Sequence, residues 1–225
     1  MTPPATISIL NCTTITSISI PSTMSHNDPA KILVSPTVPL LLALFVLLSS
    51  PLLLGALLLA ALAHELGHCA MLRWLRARVT AVRITALGAE MRIEGRLSYG
   101  GEILAAAAGP AVNLLLAPLL AYGGRLWEML YLFAGTQLVL GLFNLLPILP
   151  LDGGSMLWNL LAWITEPYTA DRVMTVVGFC TAAVLTLAAV WAAWQGGGFF
   201  FLLAALGLLW HPLGQIGVAK PLQSG

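Results

Sequence analysis

Two histidines and a glutamate lie close together in an apolar part of the chain, in the pattern His64-Glu65-Leu66-Gly67-His68. On a helix, residues four apart lie about 6 Å along the axis on nearly the same face, so His64 and His68 can direct nitrogens at one ion. Zinc suits imidazole ligands, and a catalytic zinc site usually has three protein ligands and one position for water. Glu65 follows the first ligand and can act as a general base on that water. The pattern predicts a catalytic zinc site that still needs one ligand.

The position of this motif favours a site inside a membrane. The residues before it, 52–63, contain no charged side chain. Ionisable groups in such a segment cost roughly 2.5–3.5 kcal/mol each on insertion scales, so they are usually functional. The alternative is a soluble helix that carries two surface histidines beside a solvated glutamate, and this apolar context argues against it.

The composition excludes an ordinary soluble protein. The 225 residues are 59% hydrophobic and 8% charged, with a mean hydropathy of +0.92. Soluble domains have about 25% charged residues. The net charge is +1, and no basic run with interleaved aromatic residues is present to follow a phosphate backbone. The chain is therefore interpreted as a polytopic protein of the lipid bilayer that does not bind nucleic acid.

The apolar stretches predict an all-α membrane protein with about six transmembrane helices, because one crossing needs about 20 residues. Two spans are expected within residues 32–72, with a turn at 49–51, and one span in each of 102–122, 126–146, 173–194 and 199–212. A helix at the membrane interface is expected over 155–165. The predicted organisation is a disordered tail (1–30), a six-span domain (31–213, core 51–155) and a C-terminal tail (214–225).

Residues 79–97 differ in character from these spans. β-branched residues are frequent in 79–86, a turn is expected at Gly88, and residues 90–94 alternate in polarity. This pattern predicts a small β-hairpin. Such a hairpin could align an extended polypeptide by strand addition, and it is equally consistent with a structural connector.

The predicted third ligand follows a break in the fourth apolar stretch. Pro147 and Pro150 interrupt the helical pattern shortly before Asp152. Unwound backbone at membrane depth is tolerated only where it is buried in protein or lines a watery cavity. We therefore expect Asp152 to lie at the site as a third metal ligand. Alternatively, this residue caps a helix at the membrane surface.

The third apolar stretch is expected to pack against the helix of the motif. It contains the run of small residues Ala105–Ala111, which allows two helix backbones to approach closely. Asn113 is a polar residue in the same stretch. It either faces the site or makes a hydrogen bond between helices, and the sequence does not discriminate between these roles.

The basic residues predict the orientation of the chain. With six spans, every lysine and arginine except Arg125 lies on the same side of the membrane. The positive-inside rule places that side in the cytoplasm. Both termini, the hairpin and the opening of the site are then expected to face the cytosol, most simply at the cell membrane.

Three separated segments resemble a known family. They are His64–His68, Ala108–Asn113 and Asn144–Gly154. Together they resemble the site-2 protease family of intramembrane zinc metalloproteases, in particular its compact branch, represented by stage IV sporulation protein FB.

The resemblance implies a role for each residue of the site. His64, His68 and Asp152 would hold Zn²⁺, and Glu65 would activate water. Asn144 would help to hold the substrate or to stabilise the reacting carbonyl.

The resemblance also implies an activity, namely cleavage of the transmembrane segment of single-span membrane proteins, with a membrane regulatory partner in some cases. Two other functions remain open at this point. One is a catalytically silent zinc-binding scaffold that holds a partner's helix. The other is a metal transporter, which would normally show ligands along a path and internal repeats, features that this sequence lacks.

Overall fold

The computed structural model describes residues 8–9, 31–34, 50–85, 88–95 and 97–195. This part of the chain is mostly helical and contains a small sheet. The helices are α1 (Pro51–Trp74), α2 (Tyr99–Gly123), α3 (Met129–Asn144), α4 (Asp152–Ile164) and α5 (Pro167–Trp194). The strands are β1 (Ser8–Ile9), β2 (Lys31–Val34), β3 (Val79–Thr85) and β4 (Gly88–Ile93).

Three of the described helices, α1, α2 and α5, are long and apolar enough to cross a membrane. The 24 residues of α1 extend over about 36 Å, compared with about 30 Å for the hydrocarbon core. Helix α3 is apolar but has only 16 residues. The predicted sixth span, 199–212, lies outside the described residues, so the number of six spans stays a prediction.

The N-terminal part of the chain contributes two strands. Strand β2 occupies Lys31–Val34. We expected the first membrane span to start at Ile32, and that prediction is wrong for residues 32–34. The reason is that a short apolar run fits a helix and a strand equally well by periodicity. Strand β1 lies within the tail that we expected to be disordered. Residues 35–49 and the remainder of 1–30 lie outside the described residues.

The predicted β-hairpin is present. Strands β3 and β4 pair in antiparallel fashion, β1 pairs with β4, and β2 pairs in parallel with β3, which produces the order β1-β4-β3-β2. Met91 and Ile93 of β4 are buried in a cluster with Leu72 of α1 and Ala105 of α2. The hairpin is therefore packed against the same two helices that carry much of the site.

Helix α1 starts where the sequence predicts a turn. Ser50 has an extended backbone, and its hydroxyl accepts a hydrogen bond from the Leu53 N–H at 3.2 Å. Pro51 occupies the first turn, where its missing N–H costs nothing. The helix then continues without interruption through both histidines to Trp74.

Helices α1 and α2 cross at very short distance, as the run of small residues in α2 predicts. A Cβ atom added to Gly67 of α1 would lie 2.7 Å from the Ala108 carbonyl oxygen and 3.0 Å from a methyl group of Val112. Only glycine leaves room for the backbone of α2 at this point. The close crossing places the middle of α2 directly beside the histidines.

The predicted break between α3 and α4 is also present. Helix α3 ends at Asn144, and the chain folds back so that the glycines at the start of α4 lie against the backbone of the break. A Cβ atom on Gly153 would overlap Leu145, and one on Gly154 would overlap Ile148. Helix α4 starts at Asp152, three residues before the predicted interfacial helix. The break thus turns the first residue of α4 toward α1.

Replacement of Gly67 by alanine tests the close crossing. Because the new methyl group would meet backbone atoms of α2, we expect Gly67→Ala to lower the free energy of unfolding by about 1–3 kcal/mol. Thermal unfolding in detergent measures this change. Gly55→Ala in the same helix is the control, since nothing lies within 4 Å of its added Cβ atom. Equal melting temperatures for the two variants would contradict the expected role of Gly67.

Candidate metal centre

Three candidate ligands meet between α1 and α4. His64 and His68 lie one turn apart on α1, and their Nε2 atoms are 3.1 Å apart. Asp152 is the first residue of α4, and its Oδ2 atom lies 3.0 Å from Nε2 of His64 and 3.5 Å from Nε2 of His68. The structure therefore brings together all three residues that the sequence predicts as ligands.

The three distances fit a tetrahedral zinc site. With bonds of about 2.0–2.1 Å, neighbouring ligand atoms around a tetrahedral ion lie about 3.3–3.4 Å apart. The observed separations of 3.0, 3.1 and 3.5 Å scatter around this value. Asp152 Oδ2 is also buried and accepts no hydrogen bond from the described residues. Two imidazole nitrogens and an unsatisfied carboxylate oxygen facing one point form a donor set for a cation.

Asp152 does not cap its helix. The N-cap position belongs to Leu151, and Asp152 is the first residue within α4. The carboxylate points to the imidazoles, so the geometry favours the ligand role over the capping role that the sequence left open.

His68 is oriented by a backbone carbonyl. Its Nδ1 atom lies 2.7 Å from the carbonyl oxygen of Ala105 in α2. A carbonyl oxygen can only accept a hydrogen bond, so Nδ1 must carry the proton. In the neutral ring, Nε2 then has a free lone pair that faces His64 and Asp152. A second contact of this kind is typical of metal-binding histidines.

His64 is oriented by a side chain. Its Nδ1 atom lies 2.7 Å from Oδ1 of Asn113, which is completely buried in α2. The Asn113 amide nitrogen donates to the Ala60 carbonyl at 3.1 Å and to Oε1 of Gln137 in α3. Asn113 therefore does both things that the sequence left open, since it contacts a histidine of the site and connects three helices.

Gly109 allows α2 to pass over the imidazole pair. A Cβ atom at this position would overlap Nε2 of His68 and would lie 2.8 Å from Cε1 of His64. Any larger residue would occupy the space in front of the imidazole nitrogens. The absence of a side chain at Gly109 is thus required by the candidate metal site itself, in addition to the close packing of the helices.

The chain is similar in sequence to known proteins. The sequence model of Peptidase family M50 matches residues 121–188, a segment that includes Asp152. The chain is 31% identical to stage IV sporulation protein FB of Bacillus subtilis over 161 residues, which cover 69% of this chain and 56% of that protein. It is 24% identical to a zinc metalloprotease of Methanocaldococcus jannaschii over 131 residues, or 55% of this chain and 38% of that protein.

The fold is also similar to a solved structure, the site-2 protease from Methanocaldococcus jannaschii. The TM-score is 0.62 with 19% sequence identity, and the comparison covers 86% of this chain and 94% of that one. Residues 121–188 of this chain thus match Peptidase family M50, and the fold is that of a site-2 protease. Its alignments span 38% and 56% of the length of the two curated relatives named above.

Two further residues of the chain are predicted to act in catalysis. Glu65 is half-buried in α1 next to His64, and its Oε2 atom is shielded from solvent. Asn144 is the last residue of α3, and its amide nitrogen donates to the Leu140 carbonyl of the same helix at 3.1 Å. The catalytic roles of both residues stay predictions.

Sequence reasoning missed Gln137. This residue is buried in α3 and contacts Asn113, which lies 24 positions earlier in the chain. A polar side chain within an apolar helix is a signal for such a role, because it needs a partner inside the membrane. The identity of that partner depends on how α2 and α3 pack, which the sequence does not show.

Replacement of Gly109 by alanine tests the space in front of the imidazoles. Because the added methyl group would overlap the imidazole of His68, we expect Gly109→Ala to weaken metal binding at least about tenfold, as changes beside metal ligands commonly do. Competition with a chelator for Zn²⁺ measures the affinity. Gly135→Ala in α3 is the control, since nothing lies within 4 Å of its Cβ position. Unchanged affinity in Gly109→Ala would contradict this geometry.

Proposed function

We propose that the chain is a zinc-dependent intramembrane protease that hydrolyses peptide bonds within or next to the transmembrane segment of single-span membrane proteins. The observation that carries this proposal is the convergence of His64, His68 and Asp152 on one point beside α1, a helix of membrane-spanning length. The match of residues 121–188 to Peptidase family M50 and the names of the relatives support it.

Each residue then has a defined task. His64, His68 and Asp152 would hold zinc and leave one coordination position for the reactants. When bound, zinc would lower the pKa of water toward about 7 and polarise the scissile carbonyl. Glu65 would take the proton from that water and pass it to the nitrogen of the leaving group. Asn144 would donate its amide N–H to the developing negative charge on the carbonyl oxygen.

Asn144 has two N–H donors on its amide nitrogen, so one hydrogen bond does not exclude a second one for this task. Its amide nitrogen donates to Leu140 within α3, and the residue lies where α3 ends and the break starts. A side chain at the end of a helix is less restrained by neighbouring turns than one in the interior. One N–H would stay with the Leu140 carbonyl while the other donates to the carbonyl oxygen of the substrate.

The substrate must lose helical structure before it is cut, because helical carbonyls are occupied by internal hydrogen bonds. An extended substrate segment could then be held by strand addition to the hairpin. Both edges of the hairpin already carry strands, β1 on β4 and β2 on β3. An added substrate strand would therefore pair with the outer edge of β1 or β2, or replace one of them.

The proposed location is the cell membrane, with the opening of the site toward the cytosol. The basis is the distribution of basic residues in a six-span arrangement. Arg73 and Arg76 follow the histidines at the end of α1 and are exposed, which agrees with that end lying at a polar interface. A membrane protein that regulates access of the substrate remains part of this proposal.

Two substitutions separate catalysis from metal binding. Glu65→Gln removes the general base without touching a ligand, so we expect it to retain zinc and to lose cleavage by at least about 10²–10⁴-fold. Asp152→Ala removes a ligand and is expected to lose both. Co-expression with candidate single-span proteins, followed by detection of a fragment that appears only with the unaltered protein, measures cleavage. Full activity of Glu65→Gln would overturn the mechanism.

The same variants distinguish a protease from a transporter or a scaffold. Zinc uptake should be measured in vesicles that contain the purified protein, together with proteolysis of a reconstituted substrate. Uptake that depends on His64 and Asp152 without any cleavage would indicate transport. Binding of a substrate helix that is never cut by the unaltered protein would indicate a scaffold.

Helix-breaking residues in the substrate should increase the rate of cleavage. One glycine in place of alanine lowers the stability of a helix interior by about 1 kcal/mol, which corresponds to about fivefold more unwound segment. We therefore expect about fivefold faster cleavage for each glycine placed near the scissile bond. Leucine at the same positions is the control. Equal rates for glycine and leucine substrates would contradict a requirement for unwinding.

A further inference from the structure

We propose that Gln137 is a positioning residue of the metal centre, which holds the Asn113 amide in the orientation that makes His64 present a lone pair to the metal. This inference rests on the metal site of the proposed function. Gln137 is 5% exposed and lies on α3, a helix that contributes none of the three candidate ligands among the described residues. Its influence on the site must therefore pass through Asn113.

The amide of Asn113 has two possible orientations with opposite consequences. An asparagine side chain offers one acceptor oxygen and two N–H donors. In this structure the nitrogen faces two acceptors, the Ala60 carbonyl and Oε1 of Gln137. Both donors are therefore used, and the oxygen is left to face Nδ1 of His64 at 2.7 Å.

This orientation determines the tautomer of His64. Because Oδ1 of Asn113 only accepts, Nδ1 of His64 must carry the proton, and Nε2 then has the lone pair. Nε2 is the atom that faces His68 and Asp152. If the amide were reversed, its N–H group would face Nδ1, and the proton of the neutral ring would move to Nε2. That proton would point into the metal position and oppose binding.

The Ala60 carbonyl alone provides a weaker restraint than the two acceptors together. It belongs to the backbone of α1, where it is also the normal acceptor for the N–H of His64 four residues later. Gln137 supplies an acceptor from outside α1. Gly141, one turn further along α3, lies against Asn113, since an added Cβ atom would be 3.1 Å from the Asn113 Cβ atom. One face of α3 thus encloses this asparagine.

Three variants test the proposal through metal affinity, measured with Co²⁺ and Zn²⁺ against a competing chelator in detergent. Gln137→Met keeps the size of the side chain and removes the acceptor, so we expect about 10–100-fold weaker binding. Gln137→Glu keeps an acceptor at the same position, so its metal affinity should stay close to that of the unaltered protein. Thr136→Val is the matched control, because its buried hydroxyl donates only within α3, to the Phe133 carbonyl at 2.9 Å.

A second measurement does not depend on metal or on activity. The ¹⁵N chemical shifts of the His64 ring in the metal-free protein report which nitrogen carries the proton. We expect the proton on Nδ1 in the unaltered protein and a mixture of tautomers in Gln137→Met. If Gln137→Met does not fold, Gln137→Asn, whose oxygen is withdrawn by one methylene group, replaces it in both measurements.

A double substitution tests whether the effect of Gln137 on metal affinity passes through Asn113. If Gln137 acts through Asn113, then Gln137→Met should cause little further loss of affinity when Asn113 is already alanine. Additive losses would overturn the proposal, as would an unchanged tautomer and affinity in Gln137→Met, or an equal loss in Thr136→Val. A protein that shows the expected Gln137 dependence but cuts no substrate would instead overturn only the proposed proteolysis.

Discussion

The site depends on the requirement that buried polar atoms find partners when no water is available to them. In an apolar bundle, an imidazole nitrogen without a partner carries a cost of about 1–3 kcal/mol. Both Nδ1 atoms meet this requirement through α2, one at the Ala105 carbonyl and one at Asn113. The same contacts turn both Nε2 atoms toward Asp152. The hydrogen bonds of the two Nδ1 atoms thus orient both Nε2 atoms so that they can bind a cation.

Close approach of the helix backbones is the condition for these contacts. Glycines stand where α1 and α2 cross, at Gly67 and at Gly109, and each would meet atoms of the other helix if it had a side chain. Membrane helices gain little from burying apolar groups against each other, because lipid is equally apolar, so packing and hydrogen bonds must hold them together. The small residues therefore allow the close approach of the helices, and the hydrogen bonds of the polar network depend on that approach.

The break between α3 and α4 has a different task, which is to bring a carboxylate from a distant part of the chain to the histidines. The glycines after Asp152 let the start of α4 lie directly on the backbone of the break. Helix α5 is held to α4 by a hydrogen bond of 2.7 Å from the Trp158 indole to Asp171. Close packing at the start of α4 suits a metal ligand, whose position must be correct to within a fraction of an ångström.

The sequence by itself determined the residue types of the site, the helix that carries the histidines, the hairpin and the break before Asp152. These features follow from local spacing, proline and glycine positions and apolar periodicity, which act over a few residues. The same local signals were misleading for residues 32–34, where an apolar run forms a strand because β3 is available for pairing. Only the tertiary structure decided that Gln137, Asn113 and His64 form one chain of hydrogen bonds. The reason is physical: a buried polar side chain in an apolar helix needs a partner, but helix packing alone decides which one it meets.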